Sequence, residues 1–139
     1  MTKVNDLLQF LNGVAPYALQ ESYDNSGLIT GSPDHEIKAL LVSLDCTEAI
    51  VEEAIDLGCN VIVSHHPIVF KGLKSLTGKN YVERTVIKAI QNNISLVSCH
   101  TNLDNIINGV NGKIAQKIGL KNLKILSPKE QTLKKLSFY

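Results

Sequence analysis

Hydrophobic residues near the start of the chain recur at the spacing of one helical face. Five aliphatic residues follow the i, i+3, i+4, i+7, i+10 pattern: Val4, Leu7, Leu8, Leu11 and Val14. This pattern predicts an amphipathic helix over residues 3–14, which ends before Pro16 because proline lacks the backbone N–H that a helix needs. Residues 16–31 show no such periodicity, and we predict an irregular segment there.

Three short apolar runs come next, and each is succeeded by a helical pattern. The apolar runs occupy residues 37–44, 60–64 and 94–98. The helical patterns occupy residues 47–57, 81–92 and 110–118, with Thr47 as an N-cap and with Gly58 and Gly119 at two C-terminal ends. Because the apolar runs are continuous rather than alternating, helices should cover both faces of the sheet they form. We therefore predict an α/β fold in three layers, with a mainly parallel sheet flanked by helices.

Composition agrees with one globular domain and adds two exclusions. The chain has 139 residues, of which 44% are hydrophobic and 19% are charged. It has no apolar run long enough to cross a bilayer and no secretory signal at its start, so we predict a cytoplasmic protein with no membrane partner. Cys46, Cys59 and Cys99 lack CxxC spacing, which favours buried, reduced thiols over disulfides or a thiolate zinc site.

The net charge of +1 conceals a basic C-terminal part. Seven lysines follow Gly112, whereas Glu130 is the only acidic residue there. A basic patch is one feature of nucleic-acid-binding proteins. These lysines, however, lie mostly three to five residues apart without arginine or interleaved aromatic residues, which is typical of a solvated helix face or strand edge. The pattern disfavours nucleic acid as a partner.

Histidine and aspartate residues follow the ends of all three predicted strands. They are Asp45, His65, His66, His100 and Asp104. Because the carboxyl ends of parallel strands meet at one edge of a sheet, we expect these side chains to converge. Imidazole and carboxylate groups together ligate divalent ions such as zinc, iron or manganese. The sequence therefore predicts a metal site at this edge.

The adjacency of His65 and His66 suggests two ions rather than one. Successive side chains on extended backbone point to opposite sides, so a neighbouring pair reaches one ion only if the chain turns sharply between them. Two ions about 4 Å apart, bridged by a carboxylate and a water, would let each imidazole bind its own ion. Structural roles are the alternative: His100 as a hydrogen-bonded strand-end residue, and Asp45 or Asp104 as a helix N-cap. His35, between two acidic residues, is predicted to be exposed.

Four short motifs together resemble one known family. They are DNSGL at residues 24–28, SHHPIVF at 64–70, HTNLD at 100–104 and GVN at 109–111. Their order and spacing are similar to those of the Nif-three-like family of dinuclear-metal proteins, many of which are named GTP cyclohydrolase I type 2 homologues. The resemblance extends from the first helix through essentially the whole chain. It implies an α/β fold, a two-metal site and assembly into homohexameric rings.

The resemblance also implies roles for individual residues. The family's metal-binding histidines correspond to His65 and His66, and its bridging aspartate corresponds to Asp104. Four further residues are implied to lie around the metals or to line the cleft: His100, Glu21, Asp24 and Asn25. Asp45 joins them because it follows the end of the first predicted strand.

This chain departs from the family in its length. Family members continue further and supply a histidine and, four residues later, a glutamate that complete the metal site, whereas this chain has no histidine after His100. We therefore expect residues 1–126 to form an N-terminal α/β metal-binding domain and residues 127–139 to begin a strand or linker toward a further segment. With only the ligands present here, we expect a two-metal site to be incompletely occupied.

Two functions from different classes fit these features. The first is a metal-dependent hydrolase with a small-molecule substrate, for which the family name suggests GTP. The second is a non-catalytic metal-binding ring protein that acts as a scaffold or regulatory partner.

Overall fold

A computed structural model describes residues 1–128 and contains one four-stranded sheet. The strands are β1 (Gly27–Thr30), β2 (Leu40–Ser43), β3 (Val61–Ser64) and β4 (Ser95–Ser98). Their order in the sheet is β1-β4-β3-β2, with β2, β3 and β4 parallel and β1 antiparallel to β4. The predicted mainly parallel sheet is confirmed.

Strand β1 was not predicted, and the expectation of an irregular segment over residues 16–31 is wrong for this part of it. The strand has only four residues, and it lies between Gly27 and Gly31, both of which have positive φ angles. Glycine at both ends resembles loop sequence, and a strand this short shows no periodicity. It forms because β4 offers a free edge at which Gly27 pairs with Ser98.

Five helices and one 3-10 turn surround the sheet. The helices are α1 (Val4–Val14), α2 (Glu48–Asp56), α3 (Tyr81–Gln91), α4 (Thr101–Asp104) and α5 (Val110–Lys117), and the 3-10 turn is Tyr17–Leu19. The predicted bounds of α1, α2, α3 and α5 agree with these within two residues. The predicted N-cap of α2 is also confirmed, because Thr47 Oγ1 accepts a hydrogen bond of 3.3 Å from the Ile50 amide. Helix α4, a single turn, was not predicted.

The core lies on both faces of the sheet, which confirms the three-layer arrangement. One buried cluster packs against α2 and α3: Cys46, Val51, Ala54, Cys59, Ile62, Ala89, Ile94 and Leu96. The other cluster packs against α1: Val4, Val61 and Val97, with partly buried Leu7, Leu8 and Leu11. Consecutive β3 residues Val61 and Ile62 thus enter opposite clusters, because side chains alternate across a strand. This burial explains why the strands are continuously apolar.

Several smaller predictions can be compared with the described residues. All three cysteines are free and buried, as expected, and His35 is exposed. Within residues 1–128, no helix has both the length and the hydrophobicity needed to span a bilayer. The described lysines that follow Gly112 are exposed. The predicted strand or linker at residues 127–139 lies almost entirely outside the described residues.

Candidate metal centre

The chain turns immediately after β3, and this turn brings two imidazoles together. The backbone amide of His65 still donates to the last residue of β2, at Ser43 O (3.2 Å), and that of His66 donates to the next residue, at Leu44 O (3.0 Å). Ser64 Oγ then donates to the His66 carbonyl at 2.8 Å and closes the turn. The two ring centroids lie 4.9 Å apart. The backbone thus leaves the extended conformation at these residues, which is the condition under which the sequence allowed neighbouring rings to reach one ion.

A third imidazole comes from the end of β4. The ring centroid of His100 lies 5.2 Å from that of His65 and 5.5 Å from that of His66. One ring nitrogen from each histidine lies within 4.8 Å of the corresponding nitrogens of the other two. The predicted convergence at the strand ends is confirmed for these three side chains, and their nitrogens lie close enough to share an ion.

The opposite nitrogen of each ring is engaged by an acceptor. His65 Nδ1 lies 3.0 Å from the Cys99 carbonyl oxygen, and His66 Nδ1 lies 2.7 Å from Asp45 Oδ1. His100 Nδ1 lies 2.8 Å from Asp24 Oδ1. A carbonyl oxygen or a carboxylate accepts hydrogen bonds, so each Nδ1 carries the proton and the Nε2 atom of a neutral ring keeps its lone pair. Histidines that bind metals are oriented in this way.

Asp104 adds an oxygen to the three nitrogens. Its Oδ1 atom lies 3.7 Å from His65 Nε2, and both side chains are partly exposed. Two donors that each lie ~2.1 Å from a tetrahedral ion are roughly 3.4 Å apart, so this pair fits one ion with little adjustment. A lone pair facing a carboxylate oxygen is unfavourable until a cation or a proton lies between them. The three imidazoles therefore suit a divalent ion, and Asp104 places a carboxylate beside one of them.

The structure argues against the alternative capping roles of both aspartates. Asp104 lies at the C-terminal end of α4, and Gly109 is the N-cap residue of α5. Helix α2 is capped by Thr47, whereas the Asp45 side chain pairs with His66. Asp45 thus orients an imidazole, and Asp104 stays available as a ligand.

Asp24 is the most strongly held polar group at the site. Its side chain is fully buried and accepts hydrogen bonds from His100 Nδ1, from the Asn25 amide at 2.7 Å, and from the amide (2.9 Å) and hydroxyl of Thr101. Burial alone would raise the pKa of Asp24, but the hydrogen bonds from Thr101, His100 and the backbone outweigh it and lower the pKa to about 2. Asp24 therefore remains an anion that fixes the His100 ring.

Three residues that the sequence analysis did not assign a role complete this support. Thr101 binds Asp24, as described above. Ser26 Oγ accepts the His100 amide at 3.2 Å and lies 2.9 Å from Asn102 Oδ1. Asn102 is fully buried and donates to the Ala15 carbonyl at 2.7 Å. Ser26 lies within the DNSGL motif, and Thr101 and Asn102 lie within the HTNLD motif. Membership of these motifs is the signal by which the sequence could have identified them.

Glu21 and Asn25 hold the loops around the site. Glu21 Oε1 accepts from Asn105 Nδ2 at 2.9 Å, and the Glu21 amide donates to Thr101 Oγ1 at the same distance. Asn25 Nδ2 donates to the Val69 carbonyl at 2.7 Å and so joins the segment before β1 to the segment after His66. Both residues thus contact segments that adjoin the candidate histidines.

Fold and site together define an α/β protein with a histidine-rich candidate metal centre at the carboxyl edge of its parallel strands. Comparison with known proteins gives the family. Residues 2–138 match the family Duf34/NIF3 (NGG1p interacting factor 3), and the chain belongs to this family. The resemblance noted from the motifs is thereby confirmed.

Individual relatives agree with this assignment. A GTP cyclohydrolase 1 type 2 homolog of Staphylococcus aureus is 42% identical over 137 residues, which make up 99% of this chain and 37% of that relative. The crystal structure of Staphylococcus aureus protein SA1388 matches with 44% identity and a TM-score of 0.84, over 90% of this chain and 36% of the other. A Bacillus cereus protein related to NIF3 matches with 34% identity and a TM-score of 0.86, over 92% and 35%. The chain thus spans little more than a third of the length of these relatives.

Proposed function

We propose that this chain binds divalent metal at His65, His66, His100 and Asp104 and contributes the metal site of a hydrolase. The observation that carries the proposal is a cluster of three imidazoles, each with an engaged Nδ1 atom and with a ring nitrogen within 4.8 Å of those of the other two, beside the Asp104 carboxylate. Zinc, iron and manganese all accept such a mixed nitrogen and oxygen set. A bound divalent ion would lower the pKa of a coordinated water so that it becomes a nucleophile near neutral pH.

The residues of this chain would prepare such a site in two ways. The buried Asp24 anion and the more exposed Asp45 fix the orientation of two imidazoles before any ion binds. The His66 and Asp104 side chains are partly exposed, so a small molecule could approach from solvent. Water has the same access, which suits hydrolysis.

The proposal includes two ions, as the family resemblance implies. Four donors are enough for one tetrahedral ion, and a second ion would need ligands beyond those described here. The much greater length of the relatives is consistent with such ligands. We include in the proposal a homohexameric assembly, a cytoplasmic location and a small-molecule substrate, with GTP as the first compound to test because relatives carry the name GTP cyclohydrolase 1 type 2 homolog.

A second candidate is a metal-binding protein without catalytic activity. The family description names an NGG1p interacting factor, which favours a scaffold or regulatory role as the alternative. In that case the metal would hold the strand ends together and stabilise an interaction surface.

Turnover separates the two candidates. The experiment measures hydrolysis of GTP and of a generic phosphodiester with added zinc, iron(II) or manganese, using the wild-type chain, His66→Ala and the control His35→Ala. His35 is exposed and lies outside the cluster of three histidines. The hydrolase predicts turnover that His66→Ala abolishes and His35→Ala retains. Turnover that survives His66→Ala contradicts catalysis at this site, and metal binding without turnover of either compound favours the second candidate.

A further inference from the structure

Two exposed aromatic side chains lie against the candidate metal centre. The Phe70 ring centroid lies 6.2 Å from that of His100, and the Tyr23 ring centroid lies 6.1 Å from that of Phe70. These distances are within the range of favourable aromatic contacts. Phe70 therefore adjoins the cluster of three imidazoles, and Tyr23 adjoins Phe70.

Both rings present much of their surface to water. Tyr23 is 64% exposed and Phe70 is 45% exposed. Single exposed aromatic residues are common on protein surfaces and need no explanation. Here two of them contact each other, and one also contacts a proposed metal ligand, which a chance distribution of surface residues does not explain.

The segments that carry these rings are held in place by hydrogen bonds. Tyr23 directly precedes the buried Asp24, which binds Thr101 and His100. Phe70 directly follows Val69, whose carbonyl oxygen accepts from Asn25 Nδ2 at 2.7 Å. One hydrogen bond thus links the two segments. Because the backbone beside each ring is held before binding, less conformational freedom is lost when a ligand arrives, and the contact area contributes more to affinity.

We infer that Tyr23 and Phe70 form a subsite for a planar ring of the ligand whose polar group lies at the metal centre. The inference rests on the proposed function for the polar end of the ligand and extends it to the other end. Aromatic side chains contact a planar ring by stacking or edge-to-face packing, whereas they contact a puckered aliphatic ring less closely. The subsite therefore selects aromatic or heteroaromatic compounds among those that carry the same polar group.

The test compares two phosphate esters that differ only in the ring. Phenyl phosphate and cyclohexyl phosphate carry the same metal-binding group, and their affinities are measured by NMR titration of the zinc-loaded chain. Three variants accompany the wild type: Phe70→Leu, Tyr23→Leu and the control Phe10→Leu. Phe10 is a phenylalanine on helix α1 that is 66% exposed, close to the exposure of Tyr23 and greater than that of Phe70.

We expect the wild type to bind phenyl phosphate about three- to tenfold more tightly than cyclohexyl phosphate, which corresponds to one favourable ring contact. Phe70→Leu should abolish this preference, Tyr23→Leu should reduce it, and Phe10→Leu should leave it unchanged. Equal binding of the two esters by the wild type, or a preference that survives Phe70→Leu, would overturn the inference.

Removing the metal with EDTA distinguishes a failure of this inference from a failure of the proposed function. The ratio of the two affinities reports on the rings, since the phosphate group is common to both probes. The loss of both affinities on EDTA treatment reports on the metal. If the two esters bind with equal affinity and EDTA abolishes the binding of both, the aromatic subsite is overturned and the metal centre is not. If phenyl phosphate binds more than about threefold more tightly than cyclohexyl phosphate and EDTA changes neither affinity, the subsite is supported and the metal centre is contradicted.

Discussion

The Oδ1 atom of Asp24 lies 2.8 Å from Nδ1 of His100, although 76 residues separate them in the chain. The Asp24 side chain is fully buried, and hydrogen bonds lower its pKa to about 2, so it is ionised at neutral pH. This pair fixes both the tautomer and the direction of the imidazole. The metal site therefore depends on a carboxylate that need not contact the metal itself.

Replacing Asp24 with asparagine should weaken metal binding while leaving His65, His66 and His100 in place. An amide can present an N–H to His100 Nδ1, which would reverse the tautomer and remove the lone pair from Nε2. We expect a 10- to 100-fold lower zinc affinity, measured by competition with a chromophoric chelator, as is typical for the loss of a group that orients a ligand. Asp34→Asn is the control, because Asp34 is an exposed residue paired with Lys3. Unchanged affinity in a folded Asp24→Asn variant would contradict this role.

Asp45→Asn provides an independent test with little risk to folding. Asp45 orients His66 through a contact of 2.7 Å, yet its side chain is more than half exposed. We expect a melting temperature equal to that of the wild type and roughly a tenfold loss of zinc affinity. If both quantities are unchanged, the His66 ring is oriented by the backbone turn alone, and the proposed role of Asp45 is wrong.

Asn102 should be important for stability, since it is fully buried and joins three segments of the chain. Asn102→Ala removes the side-chain donor to the Ala15 carbonyl and one of the two acceptors of the Ser26 hydroxyl, which keeps Asp24 Oδ2 at 3.2 Å. The free energy of unfolding in urea should fall by about 1–3 kcal/mol, the usual cost of leaving buried polar groups unpaired. Asn5→Ala, at an exposed position of helix α1, is the control. Equal losses in the two variants would contradict the bridging role of Asn102.

Glu83 should make the stability of the protein sensitive to acid. Its carboxylate accepts the Thr77 amide at 2.9 Å, the Thr77 hydroxyl at 3.0 Å and the Lys79 amide at 3.3 Å. The Thr77 amide contributes most to lowering the pKa, which is about 2 instead of the usual 4.5, even though burial opposes the shift. Because the folded-state pKa is depressed, this stabilisation is complete above about pH 4.5 and is lost as the pH falls toward 2.

The variant Glu83→Gln tests this relation by thermal unfolding at several pH values. We expect a melting temperature several degrees lower than that of the wild type at pH 7, with the difference shrinking as the pH falls from 4.5 toward 2. The control Glu53→Gln, at an exposed position of helix α2, should change neither the melting temperature nor its dependence on pH. A constant difference between Glu83→Gln and the wild type across this range would show that Glu83 does not titrate with folding.

Much of the fold follows from local pattern, and the failures share a physical cause. Helices α1 and α3 and strand β3 are long or apolar enough for their periodicity to identify them, and the parallel-strand rule then brings His65 and His100 together. Strand β1 begins with a glycine, is followed by another and lies outside any longer apolar run, and helix α4 is a single turn, so both depend on pairing and hydrogen bonds with distant segments. Sequence pattern contains little information about such contacts.

The sequence predicted which side chains lie together at the strand ends but not how they are arranged. The strand-end rule identified the ligand candidates, but it could not show that the chain turns after Ser64 and brings neighbouring rings to one side. The motifs likewise pointed to Asp24 without showing that it binds His100 from the far end of the chain. Both features depend on tertiary hydrogen bonds, which a single sequence does not reveal.

The most direct test of the central claim is a calorimetric zinc titration of the EDTA-treated chain. The experiment compares the wild type with single alanine variants of the four histidines: His65→Ala, His66→Ala, His100→Ala and His35→Ala. We predict at least one zinc ion per wild-type chain, a loss of most affinity in each of the first three variants, and wild-type binding in His35→Ala. No zinc binding by the wild type, or binding that His66→Ala and His100→Ala leave intact, would contradict a metal centre at this site.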